Sequence, residues 1–346
     1  MVSLVTGGAG FIGRHLVERL RAGGARVRVL DMEPAPRLPP GVDLVRGSVD
    51  DPSVVRRACR GVRRLYHLAA LTHLWGRDKR AFHRVNVRGT EVVLEEAARA
   101  RVDRLVHVSS ETVLIGRRQR GGLASIDERH EVPVAEMLGP YCRSKGEAEQ
   151  AALSAAQGGL PVVVVNPTLP LGPGDWRLTP PTTMVRDFVD GRHPAYLQWV
   201  LNVVDVRDAA AGIELAAARG RLGERYILGG TNLSMGELLA ELEAVTGRRM
   251  PRLRVPGALA WLVAAVSEVV ADHLTRRPPK APLSGVRLAL RSVRFDNAKA
   301  RRELGLSVRP LRETLVDCIA WLARARLLAR DLPRAAPALA AAARRS

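Results

Sequence analysis

The chain has 346 residues, in which 54 Lys and Arg outnumber 35 Asp and Glu to give a formal net charge of +19. Apolar residues make up 47% of the chain and charged residues 26%, the balance of a folded globular protein. This composition excludes disordered, collagen-like and disulfide-rich classes. The length suits one large domain or two coupled ones.

The basic excess does not predict nucleic-acid binding. Only four of the basic residues are lysine, and the arginines are scattered over every segment. A nucleic-acid reader would cluster them on one element and interleave aromatic side chains, which are only 4% of this chain. We expect no nucleic-acid partner, whereas a peripheral contact with an anionic membrane stays open.

The cysteines and the chain start indicate a cytoplasmic protein. Cys59, Cys142 and Cys318 form no C-x-x-C pair, so neither a metal site nor a disulfide framework is predicted. The apolar run 2–5 lacks the basic region and cleavage site of a signal peptide. The most apolar later stretch, 258–266, is closed by Ser267 and Glu268 and is far short of the ~20 residues that span a bilayer.

The first half of the chain alternates short β-branched runs with helical patterns. Strands are predicted at 2–6, 26–30, 65–69, 105–109 and 161–166, and helices at 13–22, 52–60, 82–100 and 141–156. Near-continuous apolar strands separated by helices predict a parallel sheet covered on both faces. The predicted fold class is therefore α/β, a Rossmann-like doubly wound parallel sheet.

After residue 166 the pattern becomes rich in proline and loops. A strand at 203–208 and a helix at 209–218 resemble a return to the sheet, and helices at 234–246, 259–273 and 297–304 suggest a smaller lobe. We expect a Rossmann domain over 1–166, to which 201–230 returns. A mostly helical substrate lobe is expected over 167–200 and 231–322, and the Ala/Arg-rich tail 323–346 is expected to be partly disordered.

A glycine-rich turn joins the first predicted strand to the first helix. Its sequence is Thr6-Gly7-Gly8-Ala9-Gly10-Phe11-Ile12-Gly13. Gly7 permits the tight turn, Gly10 lets the backbone approach a pyrophosphate, and Gly13 lets the helix pack on the sheet. The free N–H groups at the helix start would then hold the phosphates. The turn therefore predicts a dinucleotide site.

Asp31 ends the second predicted strand and bears on which cofactor fits. A carboxylate here accepts hydrogen bonds from the adenosine ribose hydroxyls and repels a 2′-phosphate, so NAD is predicted over NADP. Arg28 and Arg37 lie near in sequence and would moderate that repulsion. A plain turn-capping role for Asp31 stays open.

The run Tyr141-Cys142-Arg143-Ser144-Lys145 has the spacing Y-x-x-x-K. On a helix the first and fifth residues share one face, so phenol and ammonium can share a site. The cation is expected to lower the phenol pKa, which suits general acid–base catalysis. Upstream, two serines, Ser109 and Ser110, end a strand at the sheet edge where ligands bind in open α/β folds.

With these motifs in this order, the sequence resembles the extended branch of the short-chain dehydrogenase/reductase superfamily, which includes sugar-nucleotide epimerases and dehydratases. The resemblance runs from residue 2 to about 322. It includes the glycine turn, the serine pair, the Tyr–Lys run and five further segments: 66–70, 86–90, 166–167, 172–175 and 298–305.

The resemblance implies a role for each matching residue. Tyr141 is implied as proton donor or acceptor, Lys145 as the group that binds the nicotinamide ribose and tunes Tyr141, and Ser110 as a hydrogen-bond partner of the reacting oxygen. Besides Asp31, Tyr141 and Lys145, the implied cofactor contacts are Gly7, Gly10, Phe11, Ile12, Gly13, Ser48, Val49, Leu68, Ala69, Ala70, Asn86 and Val165.

Segments 165–168, 187–196 and 223–230 resemble a narrower group, the hopanoid-associated sugar epimerases, which grade into dihydroflavonol reductases and 3β-hydroxysteroid dehydrogenases. Three positions depart from the common patterns. Ser48 replaces an adenine-contacting Asp, and Asp31 stands where the group often has arginine. The segment 113–116 replaces a Val-Tyr-Gly, which alters the substrate wall.

The predicted activity is NAD(P)-dependent hydride transfer at a secondary hydroxyl or ketone, with Tyr141 as general acid or base. If the ketone stays bound and the hydride returns to its other face, the result is epimerisation; if it leaves, the enzyme is a dehydrogenase or reductase. A non-catalytic NAD(P)-binding regulator is a further alternative, which the intact Tyr141 and Lys145 disfavour. The partners expected are a small-molecule substrate and a second copy in a homodimer.

Sugar-nucleotide 4,6-dehydratase chemistry is disfavoured. It needs an added acid/base pair, whereas this chain has Ser110-Glu111-Thr112. Thr112 is no carboxylate, and Glu111 is predicted to point to the opposite face of an extended segment.

A nucleotide-diphosphate substrate is also disfavoured. A diphosphate binds best to guanidinium forks. Where resembling epimerases have an arginine before the strand at 203, this chain has Leu201 beside Trp199 and Val200, and only Arg287 and Arg291 are loose candidates for a second. An apolar wall predicts a lipid, terpenoid or other weakly charged substrate, with a nucleotide sugar and tightly bound NAD as the alternative.

Overall fold

A computed structural model describes residues 2–33, 38–119, 125–279, 281–330 and 332. The strands are β1 Val2–Thr6, β2 Arg26–Asp31, β3 Asp43–Arg46, β4 Val62–His67, β5 Arg104–Val108, β6 Ser125–Ile126, β7 Val162–Pro167, β8 Leu169–Leu171, β9 Ala195–Leu197, β10 Val200–Asp205, β11 Arg225–Leu228, β12 Thr231–Ser234, β13 Leu253–Val255 and β14 Arg294–Phe295.

The helices alternate with these strands in the first half and dominate the second. They are α1 Phe11–Ala22, α2 Pro52–Cys59, α3 Arg80–Phe82, α4 Gly89–Ala100, α5 Gly139–Gln157, α6 Pro180–Val189, α7 Val206–Arg219, α8 Met235–Thr246, α9 Gly257–Val270, α10 Leu283–Ala289 and α11 Leu311–Arg324. A π-helical turn, His83–Arg88, joins α3 to α4, and others lie at Ala271–Thr275 and Ala300–Leu304.

Seven parallel strands form the main sheet in the order β11-β7-β5-β4-β1-β2-β3. One hydrophobic core lies between the sheet and α1 with α7, and a second between the sheet and α2, α4 and α5. The valine run of β7 is buried throughout, as a central strand covered on both faces requires. The chain reverses its direction of winding between β1 and β4, so the carboxyl ends of these two strands flank the crevice where such folds bind ligands. The predicted doubly wound sheet is confirmed.

The strand predicted at 203–208 belongs to a second sheet and not to the main one. That strand is β10, Val200–Asp205, and it pairs with β8 and β12 rather than with the main sheet. The strand that returns to the main sheet is β11, Arg225–Leu228, beside β7. Apolar alternation predicts that a segment is a strand but does not tell which edge it joins, and this is why the placement was wrong.

The second lobe has its own core, which the second sheet shares with α6, α8 and α11. The sequence prediction missed the strands β3, β6, β8, β9 and β11 to β14 and the helices α6, α10 and α11. β3 is a short edge strand with mostly exposed residues, so it lacks an apolar pattern. Of the tail predicted to be partly disordered, 331 and 333–346 lie outside the described residues.

The apolar stretch near residue 260 forms a longer helix than the sequence suggested. α9 continues through the π-helical turn, so that Gly257–Thr275 is one helix of 19 residues with mean hydropathy 1.4. Among the residues described, this one helix meets the length and composition of a membrane span. Only 11% of its apolar window is buried against the protein.

Candidate active site

The turn between β1 and α1 is built on glycines that leave no room for side chains. Gly7 has a φ of +70°, and a Cβ there would lie 2.8 Å from the backbone nitrogen of Ala69. A Cβ at Gly13 would overlap the carbonyl oxygen of Gly7. Gly10 precedes the first residue of α1, so the unpaired N–H groups in the first turn of that helix lie at the carboxyl edge of the sheet. The turn therefore offers a cradle for phosphate groups.

Asp31 ends β2 beside this turn. Its Oδ2 accepts a hydrogen bond from the Ala9 backbone N–H at 3.0 Å, and its Oδ1 accepts one from the Glu33 N–H at 3.2 Å. The side chain is 9% exposed. The carboxylate thus braces the glycine turn and keeps a limited open side for a ribose.

The cation beside Asp31 is one that the sequence did not indicate. Arg177, from the loop after β8, lies 3.6 Å from the Asp31 Oδ1. Arg28, expected to moderate the charge of Asp31, instead pairs with Asp43 at 2.8 Å. Arg37, the other expected residue, lies outside the described residues. Nearness in sequence pointed to Arg28 and Arg37 as the cations beside Asp31. The structure places Arg177 there, because the second lobe folds back over this edge.

The loop after β4 lies against the glycine turn. The Leu68 N–H donates to the Thr6 carbonyl oxygen at 3.1 Å, and the Ala69 N–H donates to the Thr6 hydroxyl at 3.2 Å. Ala70 continues this loop. The predicted cofactor segment 68–70 therefore lines the crevice between β1 and β4.

Asn86 ties that loop to the Tyr–Lys helix. Its Oδ1 accepts from the Leu71 N–H at 2.8 Å, and its Nδ2 donates to the Leu71 carbonyl oxygen at 3.1 Å and to the Ser144 hydroxyl at 2.9 Å. The side chain is buried. Since these bonds engage both of its polar atoms, Asn86 serves as a brace.

Five further predicted cofactor contacts lie at the start of α1, after β3 and in β7. Phe11 begins α1, and Ile12 packs against the core beneath it. Val49, which follows Ser48, is buried near Gly89 at the start of α4. Their contact with a cofactor stays a prediction, as does that of Val165, which is fully buried in β7.

The structure brings the three predicted catalytic residues together in buried positions. Ser110 follows the carboxyl end of β5, and Tyr141 and Lys145 stand one turn apart near the start of α5. The Ser110 hydroxyl lies near enough to the Tyr141 phenol to act on its pKa. The Lys145 Nζ donates to the carbonyl oxygen of Val108, the last residue of β5, at 2.7 Å.

Burial determines the protonation of this group. It raises the pKa of Tyr141, with the Ser110 hydrogen bond acting against it. It lowers the pKa of Lys145 to about 8, with Glu149 acting against it. The lowering of the phenol pKa expected from the ammonium is not seen, because desolvation outweighs other effects and the Nζ is directed to a backbone carbonyl.

Glu111 belongs to this site, contrary to the prediction that it points away. The segment Glu111–Leu114 is a 3-10 turn rather than an extended strand, so the alternation of faces does not apply. Its carboxyl accepts a hydrogen bond from the Ser110 hydroxyl at 3.0 Å. Burial raises its pKa to about 7. The argument against dehydratase chemistry then depends on Thr112, which supplies a hydroxyl where a second carboxylate would be needed.

Two histidines fill the sheet behind the site. His67 and His107 are buried with ring centroids 5.4 Å apart. His67 hydrogen-bonds to the hydroxyls of Thr6 at 2.7 Å and Thr90 at 3.0 Å. Burial lowers the pKa of His67 to about 3, so it stays neutral.

The apolar wall predicted around Leu201 lies elsewhere. The Leu201 side chain is 2% exposed and packs in the core of the second lobe with Leu171 and Leu233, and Trp199 packs against that core. Tyr141 instead lies in a different apolar cluster. That cluster comprises Phe82, Val113, Leu114, Ile115, Ile126, Met137, Leu138, Cys142, Ile227, Val293 and Phe295.

Comparison with known proteins places these features in one family. The sequence pattern of the NAD dependent epimerase/dehydratase family matches residues 3–229. A Synechocystis sp. protein provisionally named as a dihydroflavonol 4-reductase is 39% identical, over 92% of this chain and 93% of its own length. Sterol demethylase protein B of Methylococcus capsulatus is 34% identical, over 93% of this chain and 98% of its own.

One further relative is named for its substrate. A 4-hydroxy-2-methyl-3-oxo-4-farnesyl-3,4-dihydroquinoline-1-oxide ketoreductase of Stigmatella aurantiaca is 33% identical, over 92% of this chain and 96% of its own. Among solved structures, that of gox2253 matches with a TM-score of 0.82 and 33% identity, covering 94% of this chain and 99% of that one. MoeE5 in complex with UDP-glucose and NAD matches with a TM-score of 0.73 and 25% identity, covering 94% and 100%.

Proposed function

Because the chain belongs to the NAD dependent epimerase/dehydratase family, an enzyme family of the extended short-chain dehydrogenase/reductase type, we propose that it transfers hydride between NAD(H) and a secondary hydroxyl or ketone. The substrate that we propose is a lipid, terpenoid or other weakly charged molecule. The observation that carries the proposal is the buried group of Ser110, Tyr141 and Lys145 beside a glycine turn, at the switch point of the sheet.

The residues present fit a dinucleotide. A Cβ at Gly7 or Gly13 would clash with the neighbouring backbone, so the tight turn that sets the start of α1 at the sheet edge needs glycine at both positions, and a helix start in that place suits a pyrophosphate. Asp31 supplies the carboxylate for ribose hydroxyls, which supports NAD over NADP. When bound, the nicotinamide gives or takes the hydride.

The protein residues handle the proton. Because burial raises the pKa of Tyr141, its phenol is protonated at neutral pH and is ready to donate to a ketone oxygen. Ser110 lies beside the phenol and can hydrogen-bond the same oxygen. The buried Lys145 ammonium stands one helical turn away and favours the charge that develops on the phenolate.

Two observations support an apolar substrate. The catalytic phenol lies in a cluster of aliphatic and aromatic side chains, which would bind a hydrocarbon surface in preference to a charged one. The names of two relatives mention a sterol and a farnesyl group. A nucleotide-sugar epimerase with tightly bound NAD is the second candidate, favoured by the structural similarity to MoeE5 with UDP-glucose.

Three measurements on the purified full chain separate these candidates. We expect denaturation to release little nucleotide, NADH to be oxidised with a terpenoid or sterol ketone, and calorimetry with UDP and dTDP to show no saturable binding in the low micromolar range. Stoichiometric release of NAD together with tight UDP or dTDP binding would establish the nucleotide-sugar epimerase instead. Absence of turnover on every alcohol and ketone tested, with NADH bound, would favour a regulator.

A further inference from the structure

The helix Gly257–Thr275 presents an apolar face to the outside of the protein. Six aliphatic side chains on it are between 51% and 77% exposed. The first five recur every three or four residues, as one face of a helix requires, and the sixth lies in the π-helical turn at the end of the helix. They are Leu259, Leu262, Val263, Val266, Val269 and Leu274. A helix on a water-facing surface has the opposite pattern, with its polar residues outward.

The acidic residues of this helix are turned toward the protein. The Glu268 carboxylate accepts a hydrogen bond from the Leu283 N–H at 2.8 Å. Asp272 accepts from the Trp75 indole N–H at 2.8 Å and pairs with Lys79 at 2.5 Å. The helix is therefore held to the rest of the molecule through its charges, and its outward face carries no carboxylate.

A cavity of about 280 Å³ lies at one end of this face. It is lined by Arg117, Leu138, Trp261, Arg287, Leu290 and Arg291. Trp261 belongs both to the cavity and to the helix, and its side chain is partly exposed.

Among the described residues, the arginines of the cavity have no carboxylate partner. The guanidinium groups of Arg117, Arg287 and Arg291 make no ion pair with a described carboxylate, and the Arg291 Nε is buried without a hydrogen-bond acceptor. Arg117 is exposed and Arg287 and Arg291 are partly exposed, so their three like charges face one open space, where they repel each other unless an anion joins them.

We propose that this face docks on an anionic bilayer, with the helix Gly257–Thr275 lying in the interface and the three-arginine cavity holding the phosphate of a phospholipid headgroup. An exposed apolar helix face with cations at its border is the pattern of interfacial helices. Guanidinium groups bind phosphate by paired hydrogen bonds, and Trp261 can place its indole at the boundary between headgroup and chain. The net charge of +19 adds long-range attraction to an anionic surface.

A second copy of the chain is a poorer occupant. A two-fold contact would place this face against itself and bring two sets of unpaired guanidinium groups together. A bilayer supplies both the hydrocarbon for the aliphatic face and the anion for the cavity. The inference does not depend on the proposed reaction.

The test is sedimentation of the full chain with vesicles of phosphatidylcholine alone and of phosphatidylcholine with phosphatidylglycerol. We expect binding to the anionic vesicles that weakens as salt is raised. Leu262→Glu should reduce this binding about tenfold or more, because it removes the burial of one leucine side chain. The matched control is Leu222→Glu, an equally exposed leucine beside β11, which should bind as the wild type does.

A second pair of variants tests the cavity. Arg291→Gln should reduce the preference for vesicles that contain phosphatidylglycerol. The control is Arg57→Gln, which removes one positive charge from an exposed position on α2 and should leave that preference unchanged. Thermal unfolding midpoints of all four variants should stay close to the wild type, because each changed residue lies wholly or partly at the surface.

Three results would overturn the proposal. The first is failure of the wild type to sediment with either vesicle. The second is saturable binding of inorganic phosphate or UDP that Arg291→Gln abolishes while vesicles stay unbound, which would make the cavity a site for a soluble anion. The third is a dimer in analytical ultracentrifugation that Leu262→Glu converts to a monomer, since a second copy would then cover the helix.

Discussion

The carboxyl edge of the main sheet and the outward face of Gly257–Thr275 hold their key residues in opposite ways. At the sheet edge, glycines leave no space for side chains, and Ser110, Tyr141 and Lys145 are buried by their neighbours. On the helix face the aliphatic side chains have few neighbours. The function of the sheet edge therefore depends on close steric fit, whereas that of the helix face depends on the apolar character of its side chains. We expect substitutions at the sheet edge to lower stability and activity far more than substitutions on the helix face.

The largest effect is expected from removing the phenol proton that we propose takes part in the reaction. Tyr141→Phe keeps the ring and its packing, and we expect turnover to fall by on the order of 10²-fold or more while NADH still binds. Turnover is measured with the alcohol or ketone that the wild type accepts, and binding by NADH fluorescence. Tyr196→Phe, which removes a hydroxyl bonded to Arg254 in the second lobe, should stay near wild type. Undiminished turnover of Tyr141→Phe would remove Tyr141 from the reaction.

A methyl group in the glycine turn should be the next most damaging change. In Gly13→Ala the new Cβ meets the Gly7 carbonyl oxygen, and we expect a loss of about 1–3 kcal/mol in the free energy of unfolding, with weakened NADH binding. Gly23→Ala is the control, because its Cβ would lie 3.5 Å from the nearest atom and its φ is −77°. Equal midpoints in urea for the two variants would contradict steric control of this region.

A smaller effect is expected where the edge is more open. Asp31→Asn removes the charge that faces a ribose, and we expect the ratio of NAD to NADP affinity to fall about tenfold. Arg177→Ala should change the ratio in the opposite direction, because it removes a cation that lies 3.6 Å from Asp31. The measurement is the Kd of both reduced cofactors for each variant. Unchanged ratios in both variants would assign Asp31 a structural role only.

The smallest effect near neutral pH is expected from Glu111→Gln. The pKa of Glu111 is raised from its ordinary value of 4.5 to about 7, so its stabilising contribution is full below 4.5 and is lost as the pH rises through 7. Glutamine mimics the protonated form, and the variant should therefore gain stability relative to wild type as the pH rises from 5 to about 8. Thermal unfolding at several pH values measures this. A constant difference across that range would show that Glu111 does not titrate there.

The sequence predicted the parts of the site that depend on local chemistry. The glycine turn, the predicted strand that leads to Asp31 and the Tyr141–Lys145 spacing each follow from residues close together in the chain, and the structure places them at one sheet edge. Buried apolar strands such as β7 were predicted because burial on both faces leaves a continuous apolar run.

The parts that were missed depend on contacts between distant segments. Arg177 reaches Asp31 only because the second lobe folds over the edge. Glu111 joins the site because Ser110 accepts a hydrogen bond from the Thr112 N–H and starts a 3-10 turn, a signal present in the sequence as a serine followed by two helix-compatible residues. Leu201 was predicted to line the substrate site but lies in the core of the second lobe, because strand pairing cannot be deduced from apolar alternation alone.

The order of strands in the main sheet has a consequence during synthesis. β11 completes the sheet beside β7, yet it is translated only after the first part of the second lobe. At typical elongation rates the ribosome needs about 3–12 s for the intervening residues. Throughout that interval the valine-rich edge of β7 has free N–H and C=O groups that can pair with another nascent chain. A chaperone that shields this edge would therefore raise the yield of folded protein most if it acts before residue 228 leaves the ribosome.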